Sequence, residues 1–322
     1  MSSDPGATVV EAALALWGLA GSRATLVAER ENRVYRVDQA TTGEPLGALR
    51  LHRPGYRSDA ELTAELDWMA ALALGGLAVP APLLSVGVKG RRGARLHRVG
   101  GQQVSLLSWL DAKPMGTTGE PLVHPDPPAL FTQMGQALAR LHTVSDQWTP
   151  PEGFSRWRWD AEGLLGETPL WDRFWDNPTL SPEDAQAFAQ FRQYAKTRLR
   201  TEADSLDFGL IHADMVRENV MIGTDGALSL IDFDDGGWGY RLFDIATALI
   251  KNRAEPDYPA LRAALIAGYQ RERALDVSAL DLFMALRAVT YVGWIITRLD
   301  EPGGTARNAR MVVQARALID RL

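Results

Sequence analysis

A single predicted β-hairpin constrains the fold of this 322-residue chain more than any other feature. Val220–Ile222 and Ala227–Ile231 are apolar, β-prone runs, and Asp225-Gly226 between them is the strongest short signal for a hairpin. A two-residue turn at Asp225-Gly226 places Asn219 opposite Asp232 at the open end of the hairpin. Facing residues of antiparallel strands lie roughly 5 Å apart at Cβ. The register therefore predicts that an amide oxygen and a carboxylate meet there.

These oxygen ligands are the kind that Mg²⁺ prefers, and a carboxylate base lies nearby in the sequence. Asp214 precedes the hairpin, close enough to act on a nucleophile beside a metal held by Asn219 and Asp232, with Asp234 a weaker candidate for a second ion. Such a set forms the catalytic half of a phosphoryl-transfer site. Its order follows the protein-kinase pattern H-R-D-x-x-x-x-N and D-F-G, which becomes His212-Ala-Asp214 to Asn219 and then Asp232-Phe-Asp234.

The third position of the second motif is Asp rather than Gly, and this departure points to a particular relative. The stretch resembles the aminoglycoside phosphotransferase and choline kinase superfamily, and "IDFDD…YRLFDIA" looks most like the branch of type II homoserine kinases and a bacterial stress-response kinase. The resemblance implies an α+β, bilobal, protein-kinase-like fold. A small N-terminal lobe would hold an antiparallel sheet and one main helix, and a larger, mostly helical C-terminal lobe would carry the catalytic hairpin.

A proline- and glycine-rich stretch, residues 110–128, predicts the boundary between these lobes. Residues 1–110 are then the nucleotide-binding lobe, and residues 111–322 are the catalytic and acceptor-binding lobe. The cofactors that the resemblance implies are ATP and Mg²⁺.

The third predicted strand should supply the cation that grips the α- and β-phosphates. The family usually has a Lys at this place, and the matching residue here is Arg50, which can hold phosphates bidentately but is not equivalent to Lys. Arg53 is the alternative, although strand alternation places it on the other face. On the predicted helix over residues 60–74, Glu65 best fits the family Glu that orients this cation. Glu61 lies one turn earlier on nearly the same face.

The resemblance implies two further contacts with the nucleotide. The turn around Asn32 takes the place of a phosphate-covering hairpin, although the glycine-rich G-x-G-x-x-G is absent, and backbone N–H groups there are candidates for phosphate contact. Trp109 and Leu110, with Ser108, match the hinge that hydrogen-bonds adenine through its backbone.

Three other polar residues also receive roles, and for Arg217 and Asp244 these come from the same comparison. Protein kinases commonly carry a Lys two residues after the base, where this chain has Val216, so Arg217 is predicted to neutralise the γ-phosphate or else to pair with Glu218. Asp244 matches the family Asp that accepts hydrogen bonds from the backbone of the catalytic loop. His142, at the end of a predicted helix, is interpreted as a structural group.

Composition narrows the classes of partner and compartment. The net charge of −6 offers no basic footprint for nucleic acid, and the absence of cysteine excludes disulfides and thiol catalysis. The N-terminus lacks the pattern of a signal peptide, and the apolar runs are too short to span a bilayer. We therefore expect a cytoplasmic protein that binds neither membrane nor nucleic acid, and the sequence leaves its oligomeric state open.

The predicted acceptor is the hydroxyl group of a small molecule. Residues 148–175 hold five of the ten tryptophans, interspersed with carboxylates, and such aromatic faces suit a cationic group. This favours an amino alcohol or a hydroxy amino acid such as homoserine. The alternative for this segment is a helical insertion that packs its indoles inward.

Two other functions stay open at this point. One is a Ser/Thr protein kinase of the stress-response type, although the eleven residues between Asp232 and Asp244, with Tyr240 as their only hydroxyl, leave no room for a phosphorylation-controlled activation loop. The other is a non-catalytic, nucleotide-binding pseudokinase, which Arg50 in place of Lys keeps open.

Overall fold

The computed structural model describes residues 5–29, 32–87 and 93–322, the side chains of residues 5–7 aside. Backbone contacts divide the chain into two compact units. The N-terminal unit is Met1–Lys113 with Trp148–Arg156 and Ile222–Ile231, and the C-terminal unit is the remainder. The assignment of nucleotide binding to residues 1–110, and of catalysis and acceptor binding to residues 111–322, stays a prediction.

The N-terminal unit contains an antiparallel five-stranded sheet of order β1-β2-β3-β5-β4 and one main helix, α2, as predicted. Its elements are α1 (Pro5–Leu16), β1 (Arg23–Glu29), β2 (Arg33–Asp38), β3 (Pro45–Leu51), α2 (Asp59–Leu74), β4 (Leu96–Val99) and β5 (Gln102–Leu107). The predicted helix over residues 60–74 begins at a capping box, because Ser58 accepts from the Glu61 N–H and the Glu61 carboxylate accepts from the Ser58 N–H.

The core of this unit lies between α1 and one face of the sheet. Leu49 and Leu51, alternate residues of β3, are buried together with Val104 and Leu106 of β5. Trp17, the residue that follows α1, belongs to the same cluster. Strand alternation gives Arg50 the opposite face, where it points toward α2 rather than into this apolar cluster.

The C-terminal unit is mostly helical, as predicted. The strands β6 (Ala112–Pro114) and β9 (Val220–Gly223) each have residues in both units, and β10 (Leu228–Leu230) belongs to the N-terminal unit. The other elements of the C-terminal unit are α3 (Pro127–Gln147), β7 (Trp157–Trp159), α4 (Ala161–Leu165), α5 (Pro182–Thr201), β8 (Phe208–Ile211), β11 (Gly237–Tyr240), α6 (Arg241–Ile250), α7 (Tyr258–Glu272), α8 (Leu280–Trp294) and α9 (Gly304–Ile319). Short 3₁₀ turns lie at Phe174–Asp176, Arg217–Asn219 and Ile296–Arg298. Among the residues described, no helix has the length and apolarity needed to cross a bilayer.

A small sheet of order β7-β11-β8 underlies the catalytic loop, and the sequence did not predict it. β11 runs parallel to β7 and antiparallel to β8. Glycine is required in β11 because a Cβ on Gly237 would lie 2.3 Å from the carbonyl oxygen of Trp157. The close approach of the strands therefore depends on the absence of a side chain at this position.

The hairpin of β9 and β10 forms where it was predicted, but its loop has three residues, not two. The Gly223 N–H donates to the Ala227 carbonyl at 2.9 Å, and Gly226 takes the left-handed conformation at φ 79°. A turn followed by a left-handed glycine is a common three-residue hairpin loop. The register shifts by one residue, so the predicted facing of Asn219 and Asp232 is wrong.

A buried polar cluster joins three helices of the C-terminal unit. His142 of α3 lies between Asp244 of α6 and Tyr269 of α7, with Nε2 2.9 Å from Asp244 Oδ2 and Nδ1 2.7 Å from the Tyr269 hydroxyl. Burial, together with the charge of Arg241, lowers the pKa of His142 to about 4. The imidazole is therefore neutral, which confirms the structural interpretation of His142. Burial alone would raise the pKa of Asp244, but hydrogen bonds from His142 and the loop backbone lower it.

The low pKa of His142 predicts a loss of stability in mild acid. The unfolded chain takes up a proton near pH 6.5 and the folded one only near 4, so stability falls as pH decreases through this window. The loss is on the order of 3 kcal/mol. Chemical denaturation from pH 7 to 4.5 should show this slope in the wild type and a shallower one in His142→Gln. The control His124→Gln, at a partly exposed site, should keep the wild-type slope; equal slopes in all three proteins would contradict the assignment.

Candidate active site

The catalytic loop follows β8 and is fixed by Asp244. The carboxylate of Asp244 accepts hydrogen bonds from the backbone N–H groups of His212, at 2.8 Å, and Ala213, at 2.6 Å. This confirms the predicted bracing role. Ala213 has φ 63°, a left-handed conformation that costs a non-glycine residue energy and persists only where neighbours enforce it. The hydrogen bond to Asp244 holds Ala213 in this conformation, and Ala213 directly precedes Asp214.

Both carboxylate oxygens of Asp214 have a partner. The Asn219 amide donates to Oδ2 at 2.8 Å and to the Asp214 carbonyl at 2.9 Å, and the Arg287 guanidinium donates to Oδ1 at 3.0 Å. The side chain of Asp214 remains 26% exposed, so it is accessible to a ligand. Because the Asn219 Nδ2 faces Asp214, its Oδ1 is the atom left for a cation. The sequence motif contains both Asp214 and Asn219, but sequence reasoning missed Arg287, which lies 73 residues after Asp214 on α8.

The second predicted motif lies beside this loop. Phe233 is buried with its ring 4.6 Å from that of His212, and this contact holds the neighbouring Asp232 next to the catalytic loop. Asp232 is exposed and has φ 66°, a second strained non-glycine residue at the site. Asp234 is partly exposed, and the Trp159 indole donates to the carbonyl of Asp235 at 2.8 Å.

The predicted metal ligands carry the kind of oxygen atoms that suit a hard cation. Asp232 and Asp234 offer carboxylates and Asn219 offers an amide oxygen, which is the donor chemistry that Mg²⁺ takes. No group of three acidic or histidine side chains with metal-binding geometry occurs within residues 5–29, 32–87 and 93–322. The predicted set differs from such a group because one of its three members is an amide.

The predicted catalytic role of Arg217 does not fit its surroundings. Its side chain is 1% exposed, and its guanidinium donates to Asn252 Oδ1 at 2.6 Å, to the Glu120 carbonyl at 2.7 Å and to the Glu255 carboxylate. Each of its three nitrogens donates within the chain, so Arg217 braces the turn that leads into β9. The alternative pairing with Glu218 is wrong as well, since Glu218 accepts from Thr118.

In the N-terminal unit, Arg50 and Glu65 meet as predicted. Arg50 Nη1 lies 2.8 Å from Glu65 Oε1, and both side chains are buried. Arg156 donates to the other oxygen of Glu65 at 3.4 Å, a partner that sequence reasoning missed. Arg53 is exposed after β3, and Glu61 is occupied by the helix cap, so the geometry favours Arg50 and Glu65 over both alternatives.

The remaining predicted nucleotide contacts lie at the edges of this unit. Asn32 Oδ1 accepts from the Arg53 N–H at 3.3 Å, while Glu31 lies outside the described residues. Trp109 and Leu110 are half-buried, and the Arg36 guanidinium lies 5.1 Å from the Trp109 ring centroid. Their contacts with phosphate and adenine stay predictions.

Three of the five tryptophans in the tryptophan-rich segment are already engaged by other side chains of the protein. Trp159 is fully buried and stacks on Phe243, while Arg287 covers Trp171 at 4.7 Å and Arg192 covers Trp175 at 3.7 Å. These indole faces already hold guanidinium groups of the chain. The inward-packing alternative is closer to the structure, although part of the segment is the strand β7 rather than a helix.

Comparisons with known proteins agree with this geometry. A model of the phosphotransferase enzyme family matches residues 23–280. The amicoumacin kinase of Bacillus subtilis is 25% identical over 317 residues, covering 91% of this chain and 85% of that protein, and a homoserine kinase of Acidiphilium cryptum is 27% identical, covering 73% and 70%. The fold of a microcompartment-associated aminopropanol kinase superposes with a TM-score of 0.80 at 24% identity, covering 98% of this chain and 97% of that one.

The braced loop with its Asp and Asn, the Arg–Glu pair and the family match over residues 23–280 have one explanation. The chain belongs to the phosphotransferase enzyme family and is a kinase-like enzyme that acts on small molecules.

Proposed function

We propose that this protein transfers the γ-phosphoryl group of ATP to a hydroxyl of a small molecule, an amino alcohol or a hydroxy amino acid such as homoserine. The observation that carries the proposal is the position of Asp214, fixed through both oxygens on a braced loop and still open to a ligand. The relatives support the acceptor class, because they are named as kinases of homoserine, amicoumacin and aminopropanol.

The proposed chemistry is a single displacement. The acceptor oxygen forms a bond to the γ-phosphorus, the bond from that phosphorus to the oxygen bridging the β-phosphate breaks, and ADP leaves. Asp214 accepts the hydroxyl proton, and its fixed rotamer keeps the acceptor oxygen in line. Such transfers depend mainly on positioning and charge neutralisation.

Two sets of residues are candidates for holding the cofactors. Asn219 Oδ1, Asp232 and Asp234 would hold Mg²⁺, which neutralises phosphate charge when bound. Arg50, oriented by Glu65, would bind the α- and β-phosphates, with Asn32, Trp109 and Leu110 as further nucleotide contacts. A second guanidinium, that of Arg156, also lies at ion-pair distance from Glu65.

The two other candidate functions have less support. Between Asp232 and Asp244 the chain forms β11 and the first turn of α6, so no extended loop is present there to receive a protein substrate. The paired Arg50 and Glu65 and the fixed Asp214 argue against a pseudokinase.

Asp214→Asn should lower kcat by roughly 10²- to 10⁴-fold, because the amide cannot accept the hydroxyl proton. The affinity for MgATP should stay within twofold, since Asp214 acts on the acceptor. Coupled ADP release and calorimetric titration measure the two quantities. Asp281→Asn, an exposed position on α8, is the matched control. Full turnover by Asp214→Asn would refute the assignment of the base.

Asp232→Ala should abolish Mg²⁺-dependent nucleotide binding, whereas Asn219→Ala should weaken it less, because a neutral amide contributes less charge than a carboxylate. Asn219→Ala should also lower kcat, since Asp214 loses one of its two donors. Calorimetry with ATP, with and without Mg²⁺, separates these effects. Unchanged affinity in both variants would show that the metal binds elsewhere.

Arg50→Ala should raise the KM for ATP, and Arg50→Lys should be tolerated, because Lys keeps a cation beside Glu65. Removing one member of a buried pair also destabilises the fold, so circular dichroism must accompany the kinetics. Arg53→Ala serves as the control. If Arg53→Ala raised the KM for ATP and Arg50→Ala did not, the phosphate-binding residue would have to be reassigned.

A further inference from the structure

Arg287 is a buried cation with more hydrogen-bonding capacity than its surroundings use. It is 0% exposed, and its guanidinium carbon lies 4.7 Å from the Trp171 ring centroid and 4.3 Å from that of Tyr291. Nη2 donates to Asp214, whereas Nε and Nη1 make no hydrogen bond of normal geometry to the residues described. Among the residues described, the Tyr291 hydroxyl has no hydrogen-bonding neighbour other than this guanidinium.

A second cation, Lys251, follows the end of α6 and faces the same aromatic ring. Its ammonium nitrogen lies 3.9 Å from the Tyr291 ring centroid. Within the described parts of the chain, no carboxylate lies at ion-pair distance from it. Burial, reinforced by the positive charge of Arg287, lowers the pKa of Lys251 to about 8, while Asp214 and Glu218 act in the opposite direction.

Two cations therefore share one aromatic ring beside the catalytic carboxylate, and only Arg287 has an acidic partner. Withdrawing an ammonium from water without an anion to pair with it is unfavourable. An anionic ligand at this place would offset that cost, because it would receive charge-assisted hydrogen bonds from a buried guanidinium and a partly buried ammonium.

We propose that Lys251, backed by Arg287 and Tyr291, forms an anion subsite that receives the acid group of the acceptor. This inference rests on the proposed function and chooses between its two classes of acceptor. A hydroxy acid fits the subsite, and an alcohol without an acid group does not. The subsite lies on the acceptor side because Asp214, to which Arg287 is bonded, acts on the acceptor hydroxyl. The phosphoryl group in transit is the other possible source of negative charge there.

Lys251→Met is the variant that tests the subsite. Methionine keeps the length of an unbranched side chain and removes only the charge, so the thermal stability should stay the same or rise. If Lys251 instead formed a structural ion pair, Lys251→Met would lower the thermal stability. Lys196→Met, on α5 in the same unit, controls for the loss of one positive charge.

The substrates are pairs of compounds that differ by one carboxylate. They are L-homoserine with 3-aminopropan-1-ol, L-serine with 2-aminoethanol, and glycerate with ethane-1,2-diol. In the wild type and in Lys196→Met, kcat/KM should favour an acid over its matched alcohol by at least about tenfold in one pair or more. Lys251→Met should abolish this preference through the KM of the acid and leave the alcohol unaffected.

Three results would overturn the subsite. One is a preference for the alcohol in every pair, and the second is an acid preference that survives Lys251→Met. The third is an equal fall in kcat for acid and alcohol, which would assign Lys251 to the phosphoryl group in transit.

Failure of the proposed function is separable, because calorimetry with MgAMP-PNP-loaded protein measures binding of each acid and alcohol without turnover. Absence of turnover with all six compounds would count against the proposed acceptors. In that case, binding of an acid that is lost in Lys251→Met would still support the subsite, and binding that is equal in both proteins would overturn it.

Discussion

The site depends on one buried carboxylate. Asp244 accepts the backbone N–H groups of His212 and Ala213 and the imidazole N–H of His142, so a single side chain holds a strained loop and two helices together. Each of these hydrogen bonds has a charged and buried acceptor, which makes it stronger than a neutral one. The position of Asp214 is a consequence of this arrangement, because it follows directly after the two bonded residues.

Charge around the base follows a simple order. One carboxylate oxygen of Asp214 accepts a hydrogen bond from the Asn219 amide and the other from the Arg287 guanidinium. A further cation, Lys251, contacts the same Tyr291 ring as Arg287. Arg217, which the linear motif brings nearest to Asp214, is instead committed to Asn252 and Glu255. Arg217 is therefore near Asp214 in the sequence but does not contact it, whereas the distant Arg287 donates a hydrogen bond to its carboxylate.

The sequence predicted the features that rest on short-range patterns. The spacing of Asp214, Asn219 and Asp232, the face of β3 that carries Arg50, and the helix that carries Glu65 each follow from a local periodicity or motif. The missed features arise from tertiary contacts. Arg156, Lys251 and Arg287 occupy positions that look like ordinary helix or loop cations, and only the packed structure shows their partners.

The strands of the sheet β7-β11-β8 have three or four residues each, too short for an alternation to be recognised, and their close approach depends on glycine. The predicted register of the hairpin was wrong by one residue, because Asp225-Gly226 fits a two-residue turn and a three-residue loop equally well. The error matters at the open end of the hairpin, where it changes which residues face each other.

At the two left-handed residues of the site, Ala213 and Asp232, relief of backbone strain would add little stability and would loosen the catalytic loop. A glycine would relieve the backbone strain at either position by about 1 kcal/mol, while its greater freedom in the unfolded chain would return part of that gain. The same freedom would loosen the loop on which the base is carried. Selection for heat resistance alone would therefore find little benefit here, and selection for turnover would retain the strained residues.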